Sequence, residues 1–120
     1  MALIVTNNPL VQERIANSHC ICYIEGTYLQ VLLAVRDYIH MGHSLITHPL
    51  SGSVKPNETP YKSVIISAET DALCLQSLSI IEESIQTSGK FPQQNIPQTA
   101  LGDFMEIDIR LLNIKEVHPK

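Results

Sequence analysis

The chain has 120 residues, the size of one domain, and its hydrophobic fraction of 44% supplies enough apolar material for a single core over residues 1–120. Its formal net charge of -4 disfavours nucleic acid as a partner, because proteins bind nucleic acid through many Lys and Arg contacts to phosphate. Cys20, Cys22 and Cys74 have no disulfide-framework spacing, and Met1–Thr6 is too short for a signal peptide or a membrane span, so we expect a cytoplasmic protein with no membrane contact.

The first element, Ala2–Thr6, is a short, continuously apolar run that is rich in β-branched residues. Such a run predicts a strand that is buried on both faces. Asn8 is a residue type that caps helices and Pro9 suits the first helical position, so a short helix should follow and reach about Ala16. A second strand is predicted over Cys20–Ile24.

A longer helix follows, and both of its ends are marked in the sequence. Thr27 and Gln30 have the spacing of a capping box, and Gly42 favours the left-handed conformation found just after many helices. Between these ends runs an apolar stripe at helical spacing: Tyr28, Leu32, Val35 and Ile39. A third strand, Ser44–Thr47, completes a β-α-β-α-β order, which predicts parallel strands with crossover helices.

The second half of the chain begins with a polar, proline-punctuated loop within residues 43–62. Unstructured connections of this length are uncommon inside compact domains and tend to be functional or mobile. Val64–Ser67 predicts a fourth strand, which either runs parallel to the third or folds back on it. A helix with a clear apolar stripe then starts near Thr70 or Asp71 and ends at Gly89.

Apolar and charged residues alternate over residues 105–111. This alternation predicts a last strand with one wet face, either antiparallel or at the edge of the sheet. Together the elements predict an α/β fold, a single-domain three-layer sandwich with a mostly parallel central sheet of about five strands and three helices.

A candidate binding site follows from this arrangement. Asn7 and Asn8 end the first strand and His48 ends the third, so parallel neighbouring strands would bring them to the carboxyl-terminal edge, where open α/β sheets bind ligands. The free N–H groups of the first helix, the loop hydroxyls and the loop lysine suit a phosphate or a carboxylate. The predicted ligand-binding residues are Asn7, Asn8, His48, Ser51, Gly52, Ser53, Lys55 and Glu58.

Chemistry beyond binding has less support in the pattern. The loop has neither the P-loop spacing nor a dinucleotide-binding glycine signature, so no cofactor is predicted, and its Gly and Pro residues can equally serve only to form turns. His43, His48 and Glu58 match no compact metal-ligand motif, so no metal site is predicted. His48 remains the candidate catalytic residue, as an acid or base.

Two segments of the chain resemble the GrdX family, a set of small accessory proteins named for glycine reductase gene clusters. They are TNNPLV at Thr6–Val11 and GHSLITHPLSGSVKPNETPYKS at Gly42–Ser63, and the second is the more specific. The resemblance runs over most of the chain and is weakest from Lys90 onward. It implies a bacterial cytoplasmic protein associated with reductive, selenium-linked amino-acid fermentation in anaerobes, with glycine reductase components as partners. It implies no established activity and no catalytic residues.

Three hypotheses for the function remain open. The leading one is an accessory binding protein that holds a small anion, or an acidic group of a partner, at the loop of residues 43–62. The second is an enzyme acting on a phosphorylated or acylated intermediate, with His48 as acid–base and Lys55 stabilising negative charge. The third is a purely structural assembly factor, in which the loop docks on a larger complex or on a second copy of the chain.

Overall fold

A computed structural model of the protein describes residues 2–51 and 57–112. The described residues form three strands, four α-helices and one 3-10 turn. In chain order these are β1 (Ala2–Thr6), α1 (Pro9–Ile15), β2 (Cys20–Tyr23), α2 (Tyr28–His40), β3 (Ser63–Ser67), α3 (Leu75–Ser88), the turn Gln98–Ala100, and α4 (Leu101–Leu111). Within these ranges no helix has both the length and the apolar character needed to cross a membrane.

The sheet is small and mixed. Its strand order is β2-β1-β3, with β2 parallel to β1 and β3 antiparallel to it. The prediction of about five mostly parallel strands and three helices is therefore wrong. The strand expected at Val64–Ser67 is confirmed as β3 with one more residue at its start, and it folds back along β1 so that Thr6 pairs with Ser63. This direction places Lys62 beside the carboxyl end of β1.

The strand predicted at Ser44–Thr47 is wrong, because this segment makes one isolated antiparallel bridge to β3, between Leu45 and Ile66. The backbone N–H groups of Ile46 and Thr47 both donate to the carbonyl of Ile65, at 2.9 and 3.2 Å. Side chains supply other bonds that a ladder would have made: Ser67 Oγ accepts from the Ser44 amide and Ser77 Oγ from the Leu45 amide. With these groups satisfied locally, regular pairing stops after a single bridge.

The strand predicted at residues 105–111 is also wrong, because these residues belong to α4. The inward side of this helix contains Leu101, Met105, Asp108 and Leu112, at spacings of four, three and four residues. Asp108 is only 8% exposed, although its residue type suggests the surface, while Ile107 and Leu111 are 41% and 44% exposed. Because the inward row contains a carboxylate and two apolar residues lie outside it, the sequence of this helix alternates between apolar and charged residues as a strand would.

The helices predicted elsewhere are confirmed, with small changes at their ends. Asn8 caps α1, and Thr27 and Gln30 form the capping box of α2. Gly42 has a φ of 109°, and a Cβ at this position would collide with the Asp71 carbonyl, so glycine is required there. The third helix starts at Leu75, later than expected, and ends before Gly89 as predicted.

Helices cover both faces of the sheet. One face packs against α2 and α3 in a core that contains Val5, Val64, Ile66, Leu32 and Ile81. The opposite face packs against α1 and α4 in a smaller cluster of Ala2, Ile4, Val11, Ile65 and Leu112. The carboxyl end of β1, the start of β3 and the inner side of α4 meet at the rim of this smaller cluster, and the candidate site lies there.

Candidate functional site

The site is centred on the carboxylate of Asp108, which α4 holds against the sheet. Asp108 Oδ2 accepts hydrogen bonds from Ser63 Oγ at 2.7 Å and from Asn8 Nδ2 at 3.0 Å. Both bonds from the described residues end on this one oxygen, so Oδ1 keeps its full capacity to accept. Because the residue is almost fully buried, this capacity is available only to a group that enters the adjoining cavity.

A chain of hydrogen bonds connects the carboxylate to the turn after β1. The one hydroxyl proton of Ser63 is directed to Asp108, so Thr6 must donate the 2.7 Å bond between the two hydroxyls. Thr6 Oγ1 in turn accepts from the backbone N–H of Asn8 at 3.0 Å. Each donor has a single acceptor in this series, which fixes the orientation of the carboxylate.

Asn8 has a second role at the same junction. Its side-chain oxygen accepts from the Leu10 amide and caps α1, while its Nδ2 also donates to the Met105 carbonyl of α4. This buried side chain therefore fixes both the start of α1 and the position of α4. The asparagine that predicted a helix start thus also holds the carboxylate at the centre of the site.

Lys62 brings a buried positive charge to this rim. Lys62 is 7% exposed, and its ammonium group donates to the backbone carbonyl of Ser51 at 3.0 Å. Burial lowers the pKa of Lys62 below its ordinary value of 10.5, and the negative charge of Asp108 opposes part of this shift. The ion pairs among the described residues, Arg14–Glu106 and Arg36–Glu82, involve neither Lys62 nor Asp108.

A cavity of about 280 Å³ opens between these two charges, and we name it the Asp108 pocket. It is lined by Ile46, Thr47, His48, Ser51, Lys62, Ser63, Asp108, Leu111 and Leu112. The pocket thus combines a carboxylate, an ammonium group and an imidazole with apolar side chains at its margin. Of the described residues, none forms a cluster of three His, Cys, Asp or Glu side chains that could hold a metal ion.

The structure brings together several of the residues predicted from the sequence. His48 and Ser51 line the Asp108 pocket, and Asn8 binds the carboxylate behind it. The exposed His48 accepts the Leu50 amide at Nδ1, so a neutral His48 ring carries its proton on Nε2. The Asn7 side chain accepts from the Lys62 amide, but its Nδ2 points to the carbonyls of Gly26 and Pro60, away from the pocket.

The remaining predicted residues are not at the pocket. Gly52, Ser53 and Lys55 lie outside the described residues. Glu58 is exposed and lines a separate cavity with Asn95, Ile96 and Phe104. His43 is buried, and its Nδ1 bonds to the Ser67 carbonyl at 2.7 Å.

The central residue of the site, Asp108, was not found by reasoning from the sequence. It was placed on the wet face of an expected strand, although the spacing from Leu101 to Leu112 fits a helix with Asp108 on its apolar side. A charged residue inside an apolar helical stripe is a signal for a buried functional group. Lys62 and Ser63 are likewise absent from the residues predicted for the site.

Comparison with known proteins gives a family and no further relatives. The family model described as GrdX-like protein matches residues 3–115, and the chain therefore belongs to this family. No curated protein and no solved structure matches the chain.

Proposed function

We propose that this member of the GrdX-like family is a binding protein whose Asp108 pocket holds a small zwitterion, a molecule with both a carboxylate and an ammonium group. An α-amino acid is the simplest ligand of this class. The observation that carries the proposal is the pair of buried opposite charges, Lys62 and Asp108, on the walls of one cavity.

The bonding of each charge supports this choice of ligand. Lys62 donates to a neutral carbonyl, and Asp108 accepts from a neutral hydroxyl and a neutral amide. A buried charge is costly unless it is paired with an opposite charge. A zwitterion would supply both partners, its carboxylate to Lys62 and its ammonium group to Oδ1 of Asp108.

The same charges disfavour a simple anion such as phosphate. Asp108 would repel an anion placed beside Lys62, and like charges at short range in a partly dry site cost more than in water. The carboxylate of the zwitterion therefore takes the place of the small anion expected from the sequence. The amino-acid fermentation implied by the family resemblance is a setting in which such ligands are abundant.

Thermal-shift measurements with four probes test the proposal: glycine, acetate, methylamine and inorganic phosphate. We expect glycine to raise the melting temperature as its concentration increases, because a ligand that binds only the folded state stabilises it by mass action. Acetate can pair only with Lys62 and methylamine only with Asp108, so each should give a much smaller shift in melting temperature. A shift by phosphate equal to or larger than that by glycine would contradict the proposal.

Two variants assign the binding to the pocket. Lys62→Met and Asp108→Asn each remove one charge at nearly constant shape and should abolish the glycine shift. Arg14→Met and Glu106→Gln are the matched controls, because they remove the same charges from the ion pair between α1 and α4 on the exposed surface. Unchanged glycine binding in folded Lys62→Met would show that the ligand binds elsewhere.

A further inference from the structure

A second cavity is lined by Asn7, Pro60 and Tyr61, and neither the family nor the proposed function accounts for it. Its volume is about 330 Å³, larger than that of the Asp108 pocket. We name it the amide pocket, and the lining residues that matter here are Tyr28, Asn57, Thr59, Tyr61, Gln93 and Gln94. None of its described lining residues is an Asp, Glu, Lys, Arg or His.

Two asparagine side chains fix the walls of the amide pocket. Asn7 Nδ2 donates to the carbonyls of Gly26 and Pro60, at 3.0 and 2.8 Å. Asn57, which has a φ of 65°, donates to the carbonyls of Ser88 and Phe91, at 2.9 and 2.6 Å. These bonds join the segment after β2, the segment before β3 and the end of α3, so the cavity is bounded by backbone that is fixed in place.

The Tyr28 side chain carries the inference. The whole residue is only 3% exposed, and no described residue makes a hydrogen bond to its hydroxyl. Burial, with a smaller effect of the Asp108 charge, raises the pKa of Tyr28 to about 12, so the hydroxyl stays protonated. No fully buried side-chain polar atom of the described residues lacks a partner, so this hydroxyl is accessible from outside the core, and it belongs to a residue that lines the cavity.

We propose that the amide pocket is a second ligand site, and that its ligand is an uncharged molecule with an amide group. A charged ligand would find no opposite charge among the described lining residues. The side-chain amides of Gln93 and Gln94 each offer a donor and an acceptor close together, and a ligand amide offers the complementary pair. Tyr28 supplies a further hydrogen bond from the buried end.

The two pockets are neighbours but independent in chemistry. A narrow cleft of about 20 Å³ lies between them, lined by Tyr28 and Tyr61 from the amide pocket and by Lys62 and Asp108 from the other. The charged pocket suits a zwitterion and the neutral one an amide, so each ligand should be rejected by the other site.

Nuclear magnetic resonance titration of the labelled full chain with N-acetylglycinamide tests this second site. We expect the amide signals of Thr27, Tyr28 and Tyr61 to shift with saturation, while those of Thr47 and His48 at the Asp108 pocket stay in place. Glucose, which has hydroxyls but no amide, should shift them much less. Equal binding of glucose, or no shift by N-acetylglycinamide at tens of millimolar, would overturn the proposal.

Substitutions separate this site from the Asp108 pocket. Tyr28→Phe keeps the ring in the core and removes only the hydroxyl, so it should weaken N-acetylglycinamide binding roughly fivefold to tenfold, the worth of one hydrogen bond. Gln94→Leu should act similarly, whereas Gln86→Leu on the exposed side of α3 should change nothing. Tyr28→Phe and Gln94→Leu should both bind glycine as the unmodified chain does. A variant that loses only N-acetylglycinamide binding therefore identifies the amide pocket, and a variant that loses only glycine binding identifies the Asp108 pocket.

If Tyr28→Phe binds N-acetylglycinamide with unchanged affinity, the Tyr28 hydroxyl does not bind the ligand and this part of the proposal is wrong. The stability of this variant gives a second readout that does not depend on finding the right ligand. Because the hydroxyl has no partner among the described residues, Tyr28→Phe should be at least as stable as the unmodified chain at neutral pH. A clear loss of stability would mean that a protein group already binds the hydroxyl.

Discussion

The face of the sheet under α2 and α3 is packed mainly with aliphatic side chains, whereas the face under α1 and α4 contains a carboxylate in a position that would suit a leucine. Val31, Leu32 and Val35 of α2 are all fully buried. On the other side, the inward row of α4 places Asp108 between Met105 and Leu112. The first face is held by packing, and the second also depends on hydrogen bonds to one charged group.

This difference has a consequence for what each face can do. Aliphatic packing is non-directional and leaves no polar group available to a ligand. A carboxylate held at one oxygen by Ser63 and Asn8 has its orientation fixed and its second oxygen available. The face that contains the carboxylate is therefore the one that offers a polar group to a ligand.

Substitution on the aliphatic face should have the largest effect on stability. Leu32→Ala removes a fully buried side chain from the main core, and we expect it to lower the free energy of unfolding by about 2–5 kcal/mol. Leu29→Ala on the same helix is the control, since Leu29 is 38% exposed. Urea denaturation measures both, and similar losses in the two variants would show that α2 is not packed as described.

Substitution of the polar network should have a smaller effect. Ser63→Ala removes one of two donors to Asp108 and also the acceptor of the Thr6 hydroxyl, so we expect a loss of about 1–3 kcal/mol in the free energy of unfolding. Ser79→Ala, at an exposed position of α3, is the matched control. If both serine variants are equally stable, the network does not hold α4 to the sheet.

Alkaline pH should act on the two regions in opposite directions. Burial lowers the pKa of Lys62, so the unfolded chain binds this proton more tightly, and stability from this residue rises as pH increases towards 10.5. Tyr28 has a pKa raised from 10.0 to about 12, so its contribution is complete below pH 10 and is lost as pH rises through about 12.

The comparison of variants isolates these contributions. Relative to Lys62→Met, the unmodified chain should gain stability as pH rises towards 10.5, and relative to Tyr28→Phe it should lose stability above pH 10. Urea denaturation at a series of pH values measures both differences. Differences that do not vary with pH would contradict the described burial of these two groups.

The aliphatic face was largely predictable from the sequence, and the polar face was not. The stripe of α2, its capping box and the glycine after it are local signals that agree with the fold. Whether residues 105–111 form a helix or a strand depended on the burial of Asp108. This burial becomes favourable only through hydrogen bonds from Asn8, 100 positions away in the sequence, and from Ser63, 45 positions away. Such partners leave no mark on local periodicity.

The candidate site was predictable only in part, for a related reason. The sequence placed Asn8, His48 and Ser51 at one edge of the sheet, and the structure has them around one carboxylate, although through an antiparallel β3 rather than parallel strands. Asp108, which lies at the centre, comes from a helix that was expected to be a strand. Whether these residues bind a ligand stays a prediction.

The segment 44–47 also disfavours pairing of the sheet with a strand from another copy of the chain. All four of its backbone N–H groups are occupied by acceptors within the chain: Ser67 Oγ, Ser77 Oγ and, for the last two, the carbonyl of Ile65. An extended strand beside β3 would instead offer a row of donors on which another molecule could assemble a continuous sheet. Growth of intermolecular sheet is thus discouraged on this side, and the four-residue strand Cys20–Tyr23 on the opposite side is too short to be a good template.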